Sequence, residues 1–261
     1  MSASVLFHRS RLGRKAALLA LSLSALWGSA ALAAPDEATQ DVFDAKEQAA
    51  IEQIVHDYLL AHPEILVDTA RALEQAQQQM QQELITTAID ELRTNDLIPV
   101  RGARDAKHYL IEFYDVNCGY CKVVRPLTHR LVEENPDLAI FYIEFPILSE
   151  TSVKAAAIGL ALYQQDPEMY LAYQEKTMTY EGKITTEEQL REFVTAVGGD
   201  YDKLAAQAMT DIKIQRALRA NMTLGQNLGV RGTPFFILDG EVIRGAIKDY
   251  SVFADIISRH Q

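Results

Sequence analysis

The sequence predicts an α/β fold that begins with a β-α-β unit, passes through a long helical insertion and ends with a β-β-α unit. Two apolar runs rich in β-branched and aromatic residues, at 109–114 and 138–146, indicate buried strands on either side of a helix. No strand pattern appears between 149 and 228, where the composition and the spacing of helix-breaking residues favour helices. An Asp239-Gly240 turn then separates two short strand patterns, as in a hairpin, and a closing helix follows.

Residues 1–33 are expected to be an export signal outside the fold. A basic segment precedes an apolar run at 16–26, and Ala31-Leu32-Ala33 fits a cleavage site. The basic residues are Arg9, Arg11, Arg14 and Lys15. The apolar run is shorter than the roughly 20 residues that a membrane-spanning helix needs. We therefore expect export to the periplasm and cleavage after Ala33, with a retained membrane anchor as the alternative.

The mature chain is expected to be strongly acidic. Removal of the four basic signal residues leaves 25 − 4 = 21 basic residues against 36 acidic ones, a formal net charge of −15. Such a surface argues against nucleic acid and anionic membranes as partners. Export also places the cysteines in an oxidising compartment, where a cysteine pair can act as a redox couple.

Residues 34–96 are predicted to form a helical extension ahead of the main domain at 97–261. Asp44 and Glu47 suit a capping pair, and Pro63 suits the start of a second helix. The first helix carries an apolar stripe at Ile51, Ile54, Val55, Tyr58 and Leu59. The charged, glycine- and proline-containing stretch at 95–105 is interpreted as a linker between the two parts.

The second predicted helix has an apolar residue at every seventh position, namely Leu66, Leu73 and Met80, beside a glutamine-rich face. One interpretation is that both helices lie on the main domain. The other is a stalk whose narrow apolar seam is completed by further subunits, because a seven-residue repeat is typical of associating helices. We favour a homo-oligomer, since the segment has no evident sheet to cover.

The chemistry is expected at Cys118-Gly119-Tyr120-Cys121, which contains both cysteines of the chain. The motif follows the first strand and precedes a helical pattern, so Cys118 falls at a helix N-terminus, where backbone N–H groups favour a thiolate. Cys118 is then the exposed attacking thiol, and Cys121, a turn deeper, is the resolving thiol. Three other readings compete: half of a zinc site, a structural disulfide closing a very small loop, and a copper(I) site of soft thiolates.

A second element lies far downstream at Gly232-Thr233-Pro234-Phe235. A proline that opens a strand is ordinary in itself. Together with residues 113–121, however, this loop resembles the thioredoxin superfamily and, within it, the DsbA-like branch. The resemblance implies a thioredoxin-like fold with a helical insertion at about 149–228. It also implies a cis Thr233-Pro234 bond that faces the cysteines and binds an extended client segment, together with Gly119 and Tyr120.

Glu112 stands six positions before Cys118 and interrupts an apolar strand. The side chain belongs either to a solvated strand face or to a buried position near the cysteines. In the resembled family, an acid at this place lies beneath the cysteines and assists proton transfer to the resolving thiol. The resemblance therefore adds Glu112 to Cys118 and Cys121 as a catalytic candidate.

The Asn117–Lys122 stretch, the Gly232–Phe235 loop and the helical extension resemble the copper-sensitivity suppressor ScsC-type proteins and their Com1-like relatives. Members with such an extension associate through it and shuffle disulfides. The resemblance implies a disulfide isomerase that acts on misfolded exported proteins, is serviced by a membrane redox partner, and needs no metal or cofactor beyond the redox-active disulfide Cys118–Cys121. A net oxidase and a periplasmic copper(I) carrier are the alternatives. Glycine and tyrosine replace the proline and histidine of the strong oxidase, which argues against an equally oxidising pair.

Overall fold

The computed structural model describes residues 42–260, so the export signal predicted for 1–33 lies outside the described residues. The chain divides into two compact units at the His62/Pro63 boundary. The first unit contains α1 (Ala45–Ala61), whose N-terminus has the predicted capping box: Asp44 accepts the Glu47 N–H, and Glu47 accepts the Asp44 N–H. No residue of α1 is buried; in its apolar stripe Ile51, Ile54, Val55 and Tyr58 are exposed, and Leu59 is half-buried.

The second unit is built on a five-stranded sheet in the order β1-β3-β2-β4-β5. Its strands are β1 (Val100–Arg101), β2 (His108–Tyr114), β3 (Leu138–Glu144), β4 (Phe235–Leu238) and β5 (Glu241–Arg244). β2 and β3 pair in parallel, and the other pairs are antiparallel. The crossover between β2 and β3 is α3 (Gly119–Glu134), which completes the predicted β-α-β unit.

The other helices follow the predicted order. They are α2 (Glu64–Thr94), α4 (Glu150–Gln165), α5 (Pro167–Thr179), α6 (Glu187–Thr195), α7 (Tyr201–Thr210), α8 (Ile212–Asn227) and α9 (Ser251–Arg259). Near the end of the helical region predicted at 149–228, Asp211 ends α7 and caps α8 by accepting the Lys213 N–H. None of the described helices is long and apolar enough to cross a membrane.

The core has two parts, one on each face of the sheet. Leu110 and Tyr114 of β2 point to the face that contains the cysteine pair, while Ile111 and Phe113 point to the opposite face. That second face is covered by the end of α2, where Ile85, Ala88, Ile89 and Leu92 are buried. The expectation that the N-terminal helices have no sheet to cover is therefore wrong for the last turns of α2, which share the core of the main domain.

The prediction of a linker at 95–105 is also wrong. Ile98 is buried, the Pro99 carbonyl accepts the Tyr142 N–H at 2.9 Å, and β1 pairs with β3. Arg104 ties the segment to α2 by donating to the carbonyls of Leu92 and Ile98. A two-residue strand is too short to show alternation, so its charged and turn-forming neighbours dominate the local pattern.

Candidate active site

Cys118 lies in the loop between β2 and α3, directly before the first residue of α3. Its backbone is extended, it is the N-cap residue of α3, and its Sγ accepts the Cys121 N–H at 3.1 Å. The two cysteines form a disulfide, with their Cα atoms 5.2 Å apart. A sulfur at this position receives the first free N–H groups of the helix and its positive dipole end, the arrangement that stabilises a thiolate once the disulfide is reduced.

The two sulfurs differ less in exposure than the sequence suggests. Cys118 is 4% exposed and Cys121 is fully buried, so Cys118 is the more accessible of the two without being an open surface residue. Gly119 is exposed, and Tyr120 is 65% exposed between them.

The Thr233-Pro234 bond is cis, as the resemblance implies. The carbonyl oxygen of Thr233 lies 3.3 Å from Cys118 Sγ. Thr233 is half-buried and Pro234 is buried just ahead of β4. The fold thus brings a loop from near the end of the chain against the Cys118 sulfur.

A polar residue that the sequence analysis did not identify, Asp115, holds the loop before Cys118. Asp115 is buried, accepts the Asn117 N–H and the Ser152 hydroxyl through Oδ1, and accepts the N–H groups of Ile147 and Leu148 through Oδ2. Its four hydrogen bonds connect the cysteine loop to the loop after β3. Asp115 therefore has a structural role in holding the cysteine loop.

Lys122 follows Cys121 directly and is bound to the helical insertion. Its Nζ donates to the carbonyls of Tyr180 at 2.7 Å and Gly182 at 2.8 Å. Burial lowers the pKa of the Lys122 ammonium. The side chain therefore anchors the loop between α5 and α6 to the first turn of α3.

Glu112 is buried, 1% exposed, and lies on the same face of the sheet as Tyr114 and the cysteines. Its Oε1 is 3.8 Å from Arg125 Nη2 on α3. Burial raises the pKa of Glu112, while the Arg125 charge acts in the opposite direction. Of the two positions left open by the sequence, the structure places Glu112 in the buried one.

A second buried carboxyl, Glu144 at the end of β3, escaped the sequence analysis. The hydroxyls of Tyr114 and Tyr170 both donate to its Oε1. Burial raises the pKa of Glu144 to about 7, against those hydrogen bonds. The signal was available in the sequence, because Glu144 interrupts an apolar strand at the position that pairs with Tyr114. Among residues 42–260, no three His, Cys, Asp or Glu side chains cluster as a metal site.

Comparisons with known proteins agree with this geometry. Residues 109–257 match the family described as DSBA-like thioredoxin domain, and residues 47–79 match the copper resistance protein ScsC N-terminal domain. A linker-deletion mutant of ScsC from Proteus mirabilis is 26% identical, with a TM-score of 0.65, covering 85% of this chain and 98% of that one. A periplasmic thioredoxin-like protein from Salmonella enterica serovar Typhimurium is 28% identical, with a TM-score of 0.59, covering 66% and 95%.

A curated relative is the thiol:disulfide interchange protein DsbC of Pasteurella multocida, 29% identical over 168 residues. The match covers 62% of this chain and 58% of DsbC, so the chain spans less than two thirds of that relative. These likenesses confirm the predicted fold class, a thioredoxin-like domain with a helical insertion and an N-terminal helical extension.

Proposed function

This chain belongs to the family of DSBA-like thioredoxin domains and is a ScsC-type member of it, and from that premise we propose that it is a periplasmic disulfide isomerase acting on misfolded exported proteins. The family makes it a thiol-disulfide oxidoreductase. The observation that carries the proposal is the Cys118 sulfur, which caps α3 and lies against the Thr233 carbonyl.

The reaction starts from the reduced pair. The Cys118 thiolate attacks one sulfur of a wrong client disulfide, a new sulfur–sulfur bond forms, and the other client sulfur leaves as a thiolate. The N–H groups at the start of α3 stabilise the Cys118 thiolate before attack and when it is released. Gly119, Tyr120, Thr233 and Pro234 are proposed to line the client segment around this centre.

Two routes complete the cycle. In isomerisation, the freed client thiolate attacks another client disulfide, and the thiolate released there attacks the mixed disulfide, which regenerates the Cys118 thiolate with no net oxidation. In the escape route, the Cys121 thiol gives its proton to the Glu112 carboxylate and attacks Cys118, so the client leaves reduced and the Cys118–Cys121 disulfide closes. A membrane redox partner must then reduce that disulfide, because isomerisation requires the dithiol.

Association through the N-terminal helices is part of the proposal. The apolar residues of the seam, Leu66, Leu73 and Met80, are all exposed in the single chain. An oligomer would cover them and would present several cysteine pairs to one misfolded client. The match of residues 47–79 to the ScsC N-terminal domain supports this role for the extension.

The test is refolding of a scrambled protein with several disulfides. Cys118→Ser should abolish the recovery of native protein, because no attacking sulfur remains. Cys121→Ser should accumulate mixed disulfides that are cleared slowly, since the escape route is lost. Full isomerase activity in the Cys118→Ser protein would refute the proposal.

Reduction potential separates isomerase from net oxidase. A pair whose reduction potential lies near that of glutathione or below has little tendency to take electrons from client thiols, so it cannot drive net oxidation. We expect such a value, because glycine and tyrosine occupy the two positions between the cysteines. A strongly oxidising potential, with fast oxidation of reduced clients, would favour the oxidase instead.

A copper(I) carrier is the second candidate function. It is supported by the description of the family that matches residues 47–79 as a copper resistance protein. Two thiolates of a reduced pair are soft ligands that suit this ion. Stoichiometric copper(I) binding that survives competition by physiological thiols would support the carrier, and rapid loss of copper to those thiols would exclude it.

A further inference from the structure

We propose that Arg125 is a positioning residue for disulfide exchange: it holds the Glu112 carboxylate in place and supplies a fixed positive charge behind the cysteine pair. The inference rests on the proposed function for its meaning, and its test uses a property of the sulfur that needs no client.

The position of Arg125 in α3 relates it to both cysteines. Residues 118, 121 and 125 are spaced by three and four positions, so they share one face of the helix. That face covers the side of the sheet on which Glu112 lies. The Arg125 side chain is 3% exposed, and its Nη2 lies 3.8 Å from Glu112 Oε1.

The guanidinium is held between two aromatic rings. Its central carbon lies 5.3 Å from the centroid of the Tyr114 ring and 5.0 Å from that of Tyr142. Nη1 donates to Gln174 Oε1 on α5 at 3.2 Å. Cation–π contacts of this kind keep a buried guanidinium in one orientation, so the charge is fixed relative to Glu112.

The charge is not consumed by hydrogen bonds. Among the described residues, Arg125 Nε and Nη2 and Glu112 Oε2 are buried without a hydrogen-bond partner. The ion pair is therefore purely electrostatic at 3.8 Å, and in a medium of low dielectric such a charge acts over a longer distance than at the surface. Burial opposes the charge of Arg125, but Glu112 together with Tyr142, Tyr114 and Tyr170 outweighs it, and the pKa of the guanidinium is raised.

Several other groups face this pair from the elements packed around it. They are Tyr114 on β2, Tyr142 and Glu144 on β3, His129 on α3, Tyr170 and Glu175 on α5, and Arg101 on β1. Burial raises the pKa of Glu144 to about 7 and lowers that of His129 to about 4, so both are neutral between those values. Between those values, neither Glu144 nor His129 adds a charge beside Arg125 and Glu112.

The consequence for the sulfur follows from charge. Reduction of the disulfide creates a Cys118 thiolate, and a cation behind it stabilises that anion relative to the thiol. Exchange also needs an ionised Glu112 to accept the Cys121 proton, and the neighbouring Arg125 favours the ionised form. Arg125 thus acts on both sulfurs through charge and position, without contacting the reacting atoms.

The experiment compares two full-length variants that lack the acid, Glu112→Gln and Glu112→Gln/Arg125→Met. Neither contains the buried carboxylate, and the double variant has no unpaired buried charge, so it is expected to fold. The ultraviolet absorbance of the Cys118 thiolate is titrated against pH in the reduced proteins. At a pH below the midpoints of both thiolate titrations, the double variant should contain about tenfold less thiolate than Glu112→Gln.

Arg130→Met is the matched control on the same helix. Arg130 is exposed and bonded to Glu134, so solvent screens it and its loss should leave the titration unchanged. Glu112→Gln/Arg125→Lys, which retains a positive charge at this position, should recover most of the thiolate that Glu112→Gln/Arg125→Met loses. Identical titrations of Glu112→Gln and the double variant would overturn the inference, whether or not Cys118 proves to be the isomerase nucleophile.

Discussion

Asn117, the residue directly before the attacking cysteine, forms a two-way hydrogen bond with the backbone of Ile184 in the helical insertion. Its Oδ1 accepts the Ile184 N–H at 2.7 Å, and its Nδ2 donates to the Ile184 carbonyl at 3.0 Å. Nδ2 also donates to the hydroxyls of Ser149 and Ser152 at the start of α4. The loop that carries Cys118 is therefore held by the insertion as well as by the sheet.

Asn117→Ala should destabilise the protein by about 1–3 kcal/mol, because it leaves the buried Ile184 N–H and carbonyl without partners. It should also lower kcat for disulfide exchange, since the Cys118 loop loses its anchor. Urea unfolding and exchange kinetics measure the two effects. Asn227→Ala, at an exposed site at the end of α8, should change neither the free energy of unfolding nor kcat. If Asn117→Ala also leaves both unchanged, the loop needs no anchor.

Tyr120→His should make the cysteine pair more oxidising. Tyr120 is exposed between the cysteines, so histidine fits there, and its partial positive charge stabilises the Cys118 thiolate of the reduced form. We expect the reduction potential to rise by about 30 mV, equivalent to about 1.4 kcal/mol. Equilibration with glutathione buffers gives the value. Tyr120→Phe, which removes only the hydroxyl, should leave the reduction potential unchanged.

The combined substitutions Leu66→Glu, Leu73→Glu and Met80→Glu should convert the proposed oligomer into a monomer. All three side chains are exposed on one face of α2, so the variant should fold, lose isomerase activity and retain simple disulfide reductase activity. Light scattering measures the mass. The control adds the same charge on other faces of α2 through Gln75→Glu, Gln78→Glu and Gln79→Glu, and should remain associated. A monomeric natural chain would contradict the stalk.

Leu92→Ala should cost about 2–5 kcal/mol of unfolding free energy, because it removes a large buried side chain from the core shared by α2 and the sheet. Met209→Ala, at an exposed position on α7, should stay within about 0.5 kcal/mol of the natural protein. Denaturant unfolding at one protein concentration compares them. Equal stability of the two variants would mean that the end of α2 is not part of the folded core.

Glu144→Gln should change how stability depends on pH. In the folded protein, burial raises the pKa of Glu144 from 4.5 to about 7, so between these values the unfolded chain is ionised while the folded one is protonated. Its contribution to stability is therefore present below about pH 4.5 and is lost as the pH rises through 7, in total about 3 kcal/mol.

Glutamine cannot ionise, and it keeps an oxygen for the hydroxyls of Tyr114 and Tyr170. The variant should thus gain stability over the natural protein at pH 8 relative to pH 4.5. Burial lowers the pKa of His129 to about 4 and gives a slope of the opposite sign, but that slope is common to both proteins and cancels in the difference. Glu133→Gln, an exposed site, should show no such difference.

Local patterns in the chain were sufficient for much of the fold. The β-branched runs located β2 and β3, the Asp239-Gly240 turn located the last hairpin, and the Asp44/Glu47 pair located the start of α1. Each of these signals lies within a few residues, where side-chain period and capping act directly. The Cys118–Cys121 motif and its helix N-terminus followed from the same short-range chemistry.

Packing between distant segments decided the rest. It folded the predicted linker into β1, buried the last turns of α2, and placed Asn117 on Ile184 and Arg125 beside Glu112. None of these pairs has a sequence spacing that marks it, because partners on different elements meet only when the sheet and helices are assembled. Residue types along the chain were enough to identify the exchange centre, whereas the surroundings that tune its charge depend on which side chains the assembled core encloses together.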